Sequence, residues 1–270
     1  MIHKERYEYV DSSSFTIHKI EGYIANIYLF QYDNGLLLFD SGCINDVRRI
    51  EEYCRRNGLS PSDIKLIAVS HMHPDHCGGA KVLREKYNIP VAAHRDVDLW
   101  YSGIGGSLQH KFDCYMARNV ARHNRRKCEK MLFDRVIKPD FLLDDGQRLP
   151  GFSDWQAMYV PGHTLHDLVF YHHEKRVLYL ADLICNIKGK KLLPMPILFP
   201  DKMAYSYDRL AALHASTLLL AHGNPIESDD SPEIFAAMKA QLNRPPNNLM
   251  RRVYRISVYS PEARRELFKT

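Results

Sequence analysis

The sequence predicts a mixed α/β domain, and three observations carry that expectation. Residues 64–69 are apolar and branched, which reads as a buried strand, and residues 78–87 follow as a helix with Ala80, Leu83 and Tyr87 on one face. Between them the turn Ser70-His71-Met72-His73-Pro74-Asp75-His76-Cys77 gathers three histidines and an aspartate within six positions. Three later apolar runs end at turns in one polar residue each: 155–160 before Gly162-His163-Thr164, 178–180 before Ala181-Asp182, and 218–220 before Ala221-His222-Gly223. Strand ends of this kind are where sheet proteins commonly place sites.

Residues 14–20 and 23–32 are rich in strand formers, and Asn34-Gly35 signals a hairpin because both residues tolerate positive φ. Residues 36–39 return as a strand and end at Asp40-Ser41-Gly42. A helix from Asp46 would bury Val47, Ile50 and Cys54 and stop at Gly58. After the histidine turn come a strand at 91–93 and a helical stretch near 96–101. Strands resume at 155–160, 168–171, 177–180 and 217–221, with a short helix near 207–215. Ser231-Pro232-Glu233 and Ser260-Pro261-Glu262 both read as helix starts: serine caps, proline fits the first turn, and glutamate meets the positive end of the dipole. Pro245-Pro246 should end the first of these. No repeat or Gly/Ser linker divides the chain. One domain, 1–270, is expected, with a basic helical insertion at about 103–138 and a helical C-terminal extension at about 224–270.

Composition narrows the function classes. A chain of 270 residues that is 45% hydrophobic can bury one large core. No run approaches the ~18 uninterrupted apolar residues of a membrane span. The first eight residues mix acidic and basic groups with no apolar stretch behind them, so the expected compartment is the cytoplasm. Six scattered cysteines without a C-x-x-C pair then read as reduced thiols. A net charge of +5 suits an anionic small molecule as well as nucleic acid, so the total decides neither.

The histidine turn is the informative segment. In an extended turn His71 and His73 project to one side, while Asp75 and His76 open the helix and face a second point nearby. A buried cluster of this kind needs a charge to satisfy it. A metal there would take its remaining ligands from the later strand ends.

The order H-x-H-x-D-H, P-G-H-T, an aspartate after a strand, and A-H-G resembles the metallo-β-lactamase superfamily of metallohydrolases, from about residue 23 to residue 223. The resemblance implies an αββα sandwich, two mixed β-sheets packed face to face with helices outside and a dinuclear metal site at one edge. It implies that His71, His73 and His163 hold the first metal and that Asp75, His76 and His222 hold the second. Asp182 bridges them. Asp40, in the run LLLFDSG, matches the aspartate that orients a ligating histidine through its other ring nitrogen. Two divalent ions are expected, with zinc suited to imidazole and iron or manganese also accommodated by a bridging carboxylate. Two departures stand out: Ala181 precedes the bridge where glycine is common, and His166, expected at the surface, follows P-G-H-T where smaller residues are frequent.

Two cations sharing a water lower its pKa from 15.7 towards about 7. The expected reaction is attack by that bridging hydroxide on a small ester-like bond, a thioester or a lactone, with Asp75 orienting the nucleophile and relaying its proton. No G-x-S-x-G elbow or P-loop offers another chemistry. The alternatives are a phosphodiesterase or ribonuclease of the same superfamily, for which the insertion is short, and an iron-dependent sulfur dioxygenase, which would use one metal. The expected partner is a small molecule, not nucleic acid or a membrane; the oligomeric state is not legible. Within 103–138, nine basic residues face three acidic ones, an excess of +6 that exceeds the whole chain's +5. Arg118, Arg122 and Arg126 recur at helical spacing, and as one stripe they would receive an anionic part of the substrate.

Overall fold

The computed structural model describes residues 6–8, 15–242 and 258–267. Seven strands form the first sheet in sequence order: β1 (Arg6–Glu8), β2 (Thr16–Glu21), β3 (Asn26–Tyr32), β4 (Gly35–Phe39), β5 (Ile64–Ala68), β6 (Val91–His94) and β7 (Phe141–Leu143). β1 to β4 pair antiparallel, and β4 to β7 run parallel. Parallel neighbours need crossovers. These are α1 (Asp46–Arg56), then α2 (Pro74–Cys77) with α3 (Ala80–Tyr87), then α4 (Gly103–His123).

The second sheet has six strands, β8 (Arg148–Leu149), β9 (Phe152–Tyr159), β10 (Leu168–His172), β11 (Val177–Tyr179), β14 (Thr217–Leu219) and β15 (Ile226–Glu227), in the spatial order β15-β14-β11-β10-β9-β8. Only β11 and β14 run parallel in it. A separate hairpin, β12 (Cys185–Ile187) with β13 (Lys190–Leu192), lies between β11 and α5 (Pro200–Ala211); α6 (Ser231–Leu242) and α7 (Pro261–Leu267) follow among the described residues.

Period-two alternation assembles the layers. In β4, Leu37 and Phe39 point between the sheets, whereas Leu36 and Leu38 point to the outer helices. In β10, Leu168 and Phe170 join the inner core and Val169 and Tyr171 the outer one. The inner core is aromatic: Phe39 meets Trp155, Phe170 and Tyr179 of the opposite sheet at ring-centroid distances of 4.8, 4.6 and 5.4 Å. Ile50 of α1 and Leu83 of α3 cover the first sheet, and Tyr207 of α5 and Phe235 of α6 cover the second. The fold is therefore a sandwich of two mixed sheets with helices on both outer faces. Among the described residues no helix is long and apolar enough to cross a membrane.

Several local expectations change. The helix expected near 207–215 begins at Pro200, a first-turn proline, and ends at Ala211. The stretch near 96–101 contains only a 3-10 turn, Val97–Leu99. α4 stops at His123, well before residue 138. Arg125 takes a left-handed φ of 56°, and the N–H groups of Arg125 and Arg126 bond back to the carbonyls of Arg122 and Ala121 at 2.9 Å each. That is a Schellman end with arginine where glycine is usual. Ser260 caps α7 through Ala263 N–H at 3.4 Å, but the buried Ser231 hydroxyl has no hydrogen-bond partner among the described residues. Pro245-Pro246 lies outside the described residues.

Candidate metal centre

All seven predicted donors converge at one edge of the sandwich, in two groups: His71, His73, His163 and Asp182, and Asp75, His76 and His222. Each arrives from a strand end. β5 delivers the histidine turn, in which His73 keeps extended backbone and Pro74 opens α2. β9 is followed by the His163 turn. There Asp167 Oδ2 accepts the N–H groups of His163 and Thr164 at 3.0 and 2.7 Å, and its Oδ1 accepts the Thr164 hydroxyl. Gly162 lets α5 approach: a Cβ there would lie 2.4 Å from that of Met203. β11 leads to Asp182 through Ala181, which holds a left-handed φ of 47°.

β14 leads to His222, and its turn is pinned from the first sheet. Asn26 N–H bonds to Ala221 O at 2.7 Å, its side-chain amide to Gly223 O at 2.6 Å, and Tyr28 hydroxyl to Leu220 O at 2.9 Å. Gly223, at φ 103°, touches the β12 backbone so closely that a Cβ would meet Asn186 O at 1.9 Å.

The donor atoms form two compact constellations. His73 Nδ1 lies 3.1 Å from His71 Nε2 and 2.9 Å from His163 Nε2. Asp182 Oδ2 lies 3.3 Å from His163 Nε2 and 3.9 Å from His71 Nε2. Its other oxygen, Oδ1, lies 3.0 Å from His76 Nε2 and 3.1 Å from His222 Nε2, and Asp75 Oδ2 lies 3.5 Å from His222 Nε2. A tetrahedral site with metal–nitrogen bonds of about 2.0–2.1 Å has donor separations of about 3.3 Å. The observed spacings bracket that value.

The outer nitrogens show why a cation fits. His76 Nδ1 donates to Asp40 Oδ2 at 2.7 Å, His163 Nδ1 to Pro196 O at 2.7 Å, and His71 Nδ1 to Ser70 Oγ at 3.0 Å, whose own proton goes to Asp40 Oδ2 at 2.7 Å. With those protons placed outward, the inward Nε2 atoms of neutral His71, His76 and His163 are bare lone pairs. His76 Nε2 and Asp182 Oδ1 are buried, face each other and have no aligned hydrogen bond. Lone pair against lone pair requires a proton or a metal.

The pKa directions agree. Burial and neighbouring imidazoles hold His71 and His73 well below their usual range, so they stay neutral donors. Burial opposes charge on His76 too, but the Asp182 and Asp40 carboxylates outweigh it and hold its pKa well above the usual value. Burial likewise disfavours charge on His163 and His222, and Asp182 raises both. Asp182 is held well below the carboxylate range by His76 and His222 against its own burial. Both directions, imidazoles raised and carboxylate lowered, favour positive charge beside Asp182.

Asp40 is fully buried beneath the centre, where it also accepts Ser70 N–H at 2.8 Å and Tyr179 hydroxyl at 2.6 Å. The arginine stripe does not form. Arg118 and Arg122 lie on α4, but Arg126 lies beyond its end and pairs with Glu21 of β2. One α4 side chain that reaches the centre is acidic: Asp113, with Oδ2 4.0 Å from His73 Nε2. Burial raises its pKa to about 6, against the pull of Gln109 and Tyr101. His166 is buried rather than on the surface, where its Nε2 accepts the Met72 N–H at 3.0 Å and braces the histidine turn. Cys77 and Cys185 belong to neither donor group.

A sandwich with this centre at its edge is that of a metal-dependent hydrolase. The profile of the family described as "Metallo-beta-lactamase superfamily" matches residues 20–222, and the chain belongs to that superfamily. It is similar to "Probable metallo-hydrolase YqgX" of Bacillus subtilis (strain 168), 27% identical over 214 residues that cover 77% of this chain and 86% of that one. It is also similar to "Hydroxyacylglutathione hydrolase GloC" of Haemophilus influenzae, 22% identical over 140 residues, 51% of this chain and 55% of that one. Among solved structures, BJP-1, a subclass B3 metallo-beta-lactamase of Bradyrhizobium japonicum, shares the fold at a TM-score of 0.64 and 18% identity, covering 93% of this chain and 96% of that chain.

Proposed function

We propose that the chain hydrolyses a small ester-like bond, a thioester first and a lactone second. The observation that carries the hydrolytic reading is Asp182, whose two oxygens face separate groups of donors at 3.0–3.9 Å. The similarity to a hydroxyacylglutathione hydrolase supports the thioester class. His71, His73 and His163 would hold one metal, and Asp75, His76 and His222 the other, with Asp182 between. Bound metal would supply Lewis acidity to a carbonyl oxygen and acidity to a water.

The chain's own residues do the rest. Asp75 sits half-buried at the start of α2, with one oxygen towards His222 and no side-chain hydrogen bond among the described residues. A carboxylate so placed can orient an attacking water, take its proton and pass it to the leaving group. Asp40, Ser70 and Pro196 keep the ligating rings turned with lone pairs inward. Burial raises the Cys77 and Cys185 thiols, so neither offers thiolate at neutral pH and the attack is assigned to water. The test is a panel of thioesters with varied thiol parts, lactones and phosphodiesters, given to protein reconstituted with zinc, manganese or iron. Thioester turnover that a chelator abolishes is expected. Cleavage of phosphodiesters with thioesters and lactones left intact would overturn the proposal.

A further inference from the structure

We infer that Asp113, on α4 and outside both sheets, is the positioning carboxylate for His73. The inference rests on reading the seven donors as a metal centre and is independent of the substrate. His71, His76 and His163 each give the outer ring nitrogen to a serine hydroxyl, a carboxylate and a carbonyl respectively, at 2.7–3.0 Å. His73 is turned the other way. Its Nδ1 points at His71 and His163, so Nε2 is the outer atom, and the group facing it is Asp113 Oδ2 at 4.0 Å. That spacing is too long for a hydrogen bond. It is short enough for a buried negative charge to favour the ring tautomer that carries its proton on Nε2 and leaves the Nδ1 lone pair inward.

Asp113 is held for this role from two directions. Tyr101 hydroxyl donates to Oδ2 at 2.9 Å, and Gln109, one helical turn earlier, donates to Oδ1 at 2.7 Å. Gln109 is itself fixed by the C-terminal segment, because its Oε1 accepts Tyr259 N–H at 2.6 Å. That segment can lie so close only because Gly105 has no side chain: a Cβ there would stand 2.4 Å from Tyr259 O. A chain of contacts thus runs from the C-terminal segment through α4 to a metal ligand. The plainer reading is that Asp113 merely ties α4 to Tyr101.

Zinc affinity and the ring tautomer of His73 separate the two. Zinc is titrated against a chromophoric chelator in wild type, Asp113→Asn and Asp113→Glu, and the imidazole nitrogens of the metal-free proteins are read by 15N NMR. Loss of the charge in Asp113→Asn should weaken one of two zinc sites by about 10-fold or more, as removal of an outer partner does. Asp113→Glu should restore most of it, and wild-type His73 should carry its proton on Nε2. Unchanged zinc binding and an unchanged His73 tautomer in Asp113→Asn would overturn the inference, whatever happens to thermal stability. Should that variant not fold, wild-type His73 protonated on Nδ1 is equally decisive against it. Wild-type protein that binds no zinc, manganese or iron would instead overturn the hydrolase reading, leaving the tautomer measurement to judge Asp113.

Discussion

Both halves of the centre lean on Asp40, His76 directly and His71 through Ser70, but only the half with His73 also faces a carboxylate on α4. Beside Asp75 and His222, His76 rests on Asp40, which is fully buried and receives four contacts of 2.6–2.8 Å from Ser70, Tyr179 and His76 itself. Tyr179 comes from β11 of one sheet and Asp40 from the end of β4 of the other, so this support is built across the sandwich core. Beside His71 and His163, His73 faces Asp113 at 4.0 Å, from a helix laid over the edge. Strand pairing fixes the first support with the fold itself. The second depends on how α4 and the C-terminal segment dock. A centre can therefore be rigid on one side and adjustable on the other.

The largest expected effect treats the halves as one. Asp182→Ala removes the carboxylate shared by both groups, so metal content and hydrolase activity should fall together. The activity loss should exceed the roughly 10–100-fold typical of outer-partner changes. Metal analysis beside kinetics checks this, and full activity with undiminished metal would show that Asp182 is not the bridge.

The next sharpens the contrast. Asp40→Asn places an amide where several donors point, leaving Ser70, Tyr179 or His76 unsatisfied in a buried site. Stability should drop by about 3 kcal/mol, the scale for breaking a buried charged pair, with metal affinity lost as well. Asp113→Asn disturbs two accepted hydrogen bonds rather than four contacts and removes a charge that burial disfavours, so it should cost less, about 1 kcal/mol, while still weakening metal binding. Urea denaturation of both metal-free variants measures the difference. Asp113→Asn as destabilising as Asp40→Asn would erase the distinction between the halves.

The smallest effect lies at the junction. Ala181 occupies a left-handed φ next to the bridging carboxylate, which costs an L-residue roughly 1–2 kcal/mol. Ala181→Gly relieves that strain but gains unfolded-state entropy worth about 0.4–1 kcal/mol. A net stabilisation between about zero and about 1.6 kcal/mol should appear as a modest rise in Tm. A lower Tm would show that the backbone there is not strained.

Much of the centre was legible because its donors are local in sequence. H-x-H-x-D-H is one turn, and His163, Asp182 and His222 each follow an apolar strand, so pattern alone marks them. Asp40 was legible for the same reason, as a polar residue closing the run LLLF. The arginine stripe does not form because α4 stops at His123, closed by a left-handed Arg125 that no glycine announces. His166 was misplaced because polarity suggests solvent, whereas its ring accepts a buried backbone N–H. Asp113 was invisible as a partner. It lies forty residues from His73 in a segment whose net charge points the other way.

The strand-and-helix rhythm and the polar residues that close the strands are legible in the chain alone. Each of these is written in residue type and short-range spacing. Long-range packing sets which oxygen of Asp182 faces which group, that Asp40 is shared between the two sheets, and that α4 brings a carboxylate to His73. Those outcomes depend on sheet register, helix ends and docking angles. Such features arise from contacts between residues far apart in the chain, and no local pattern records them.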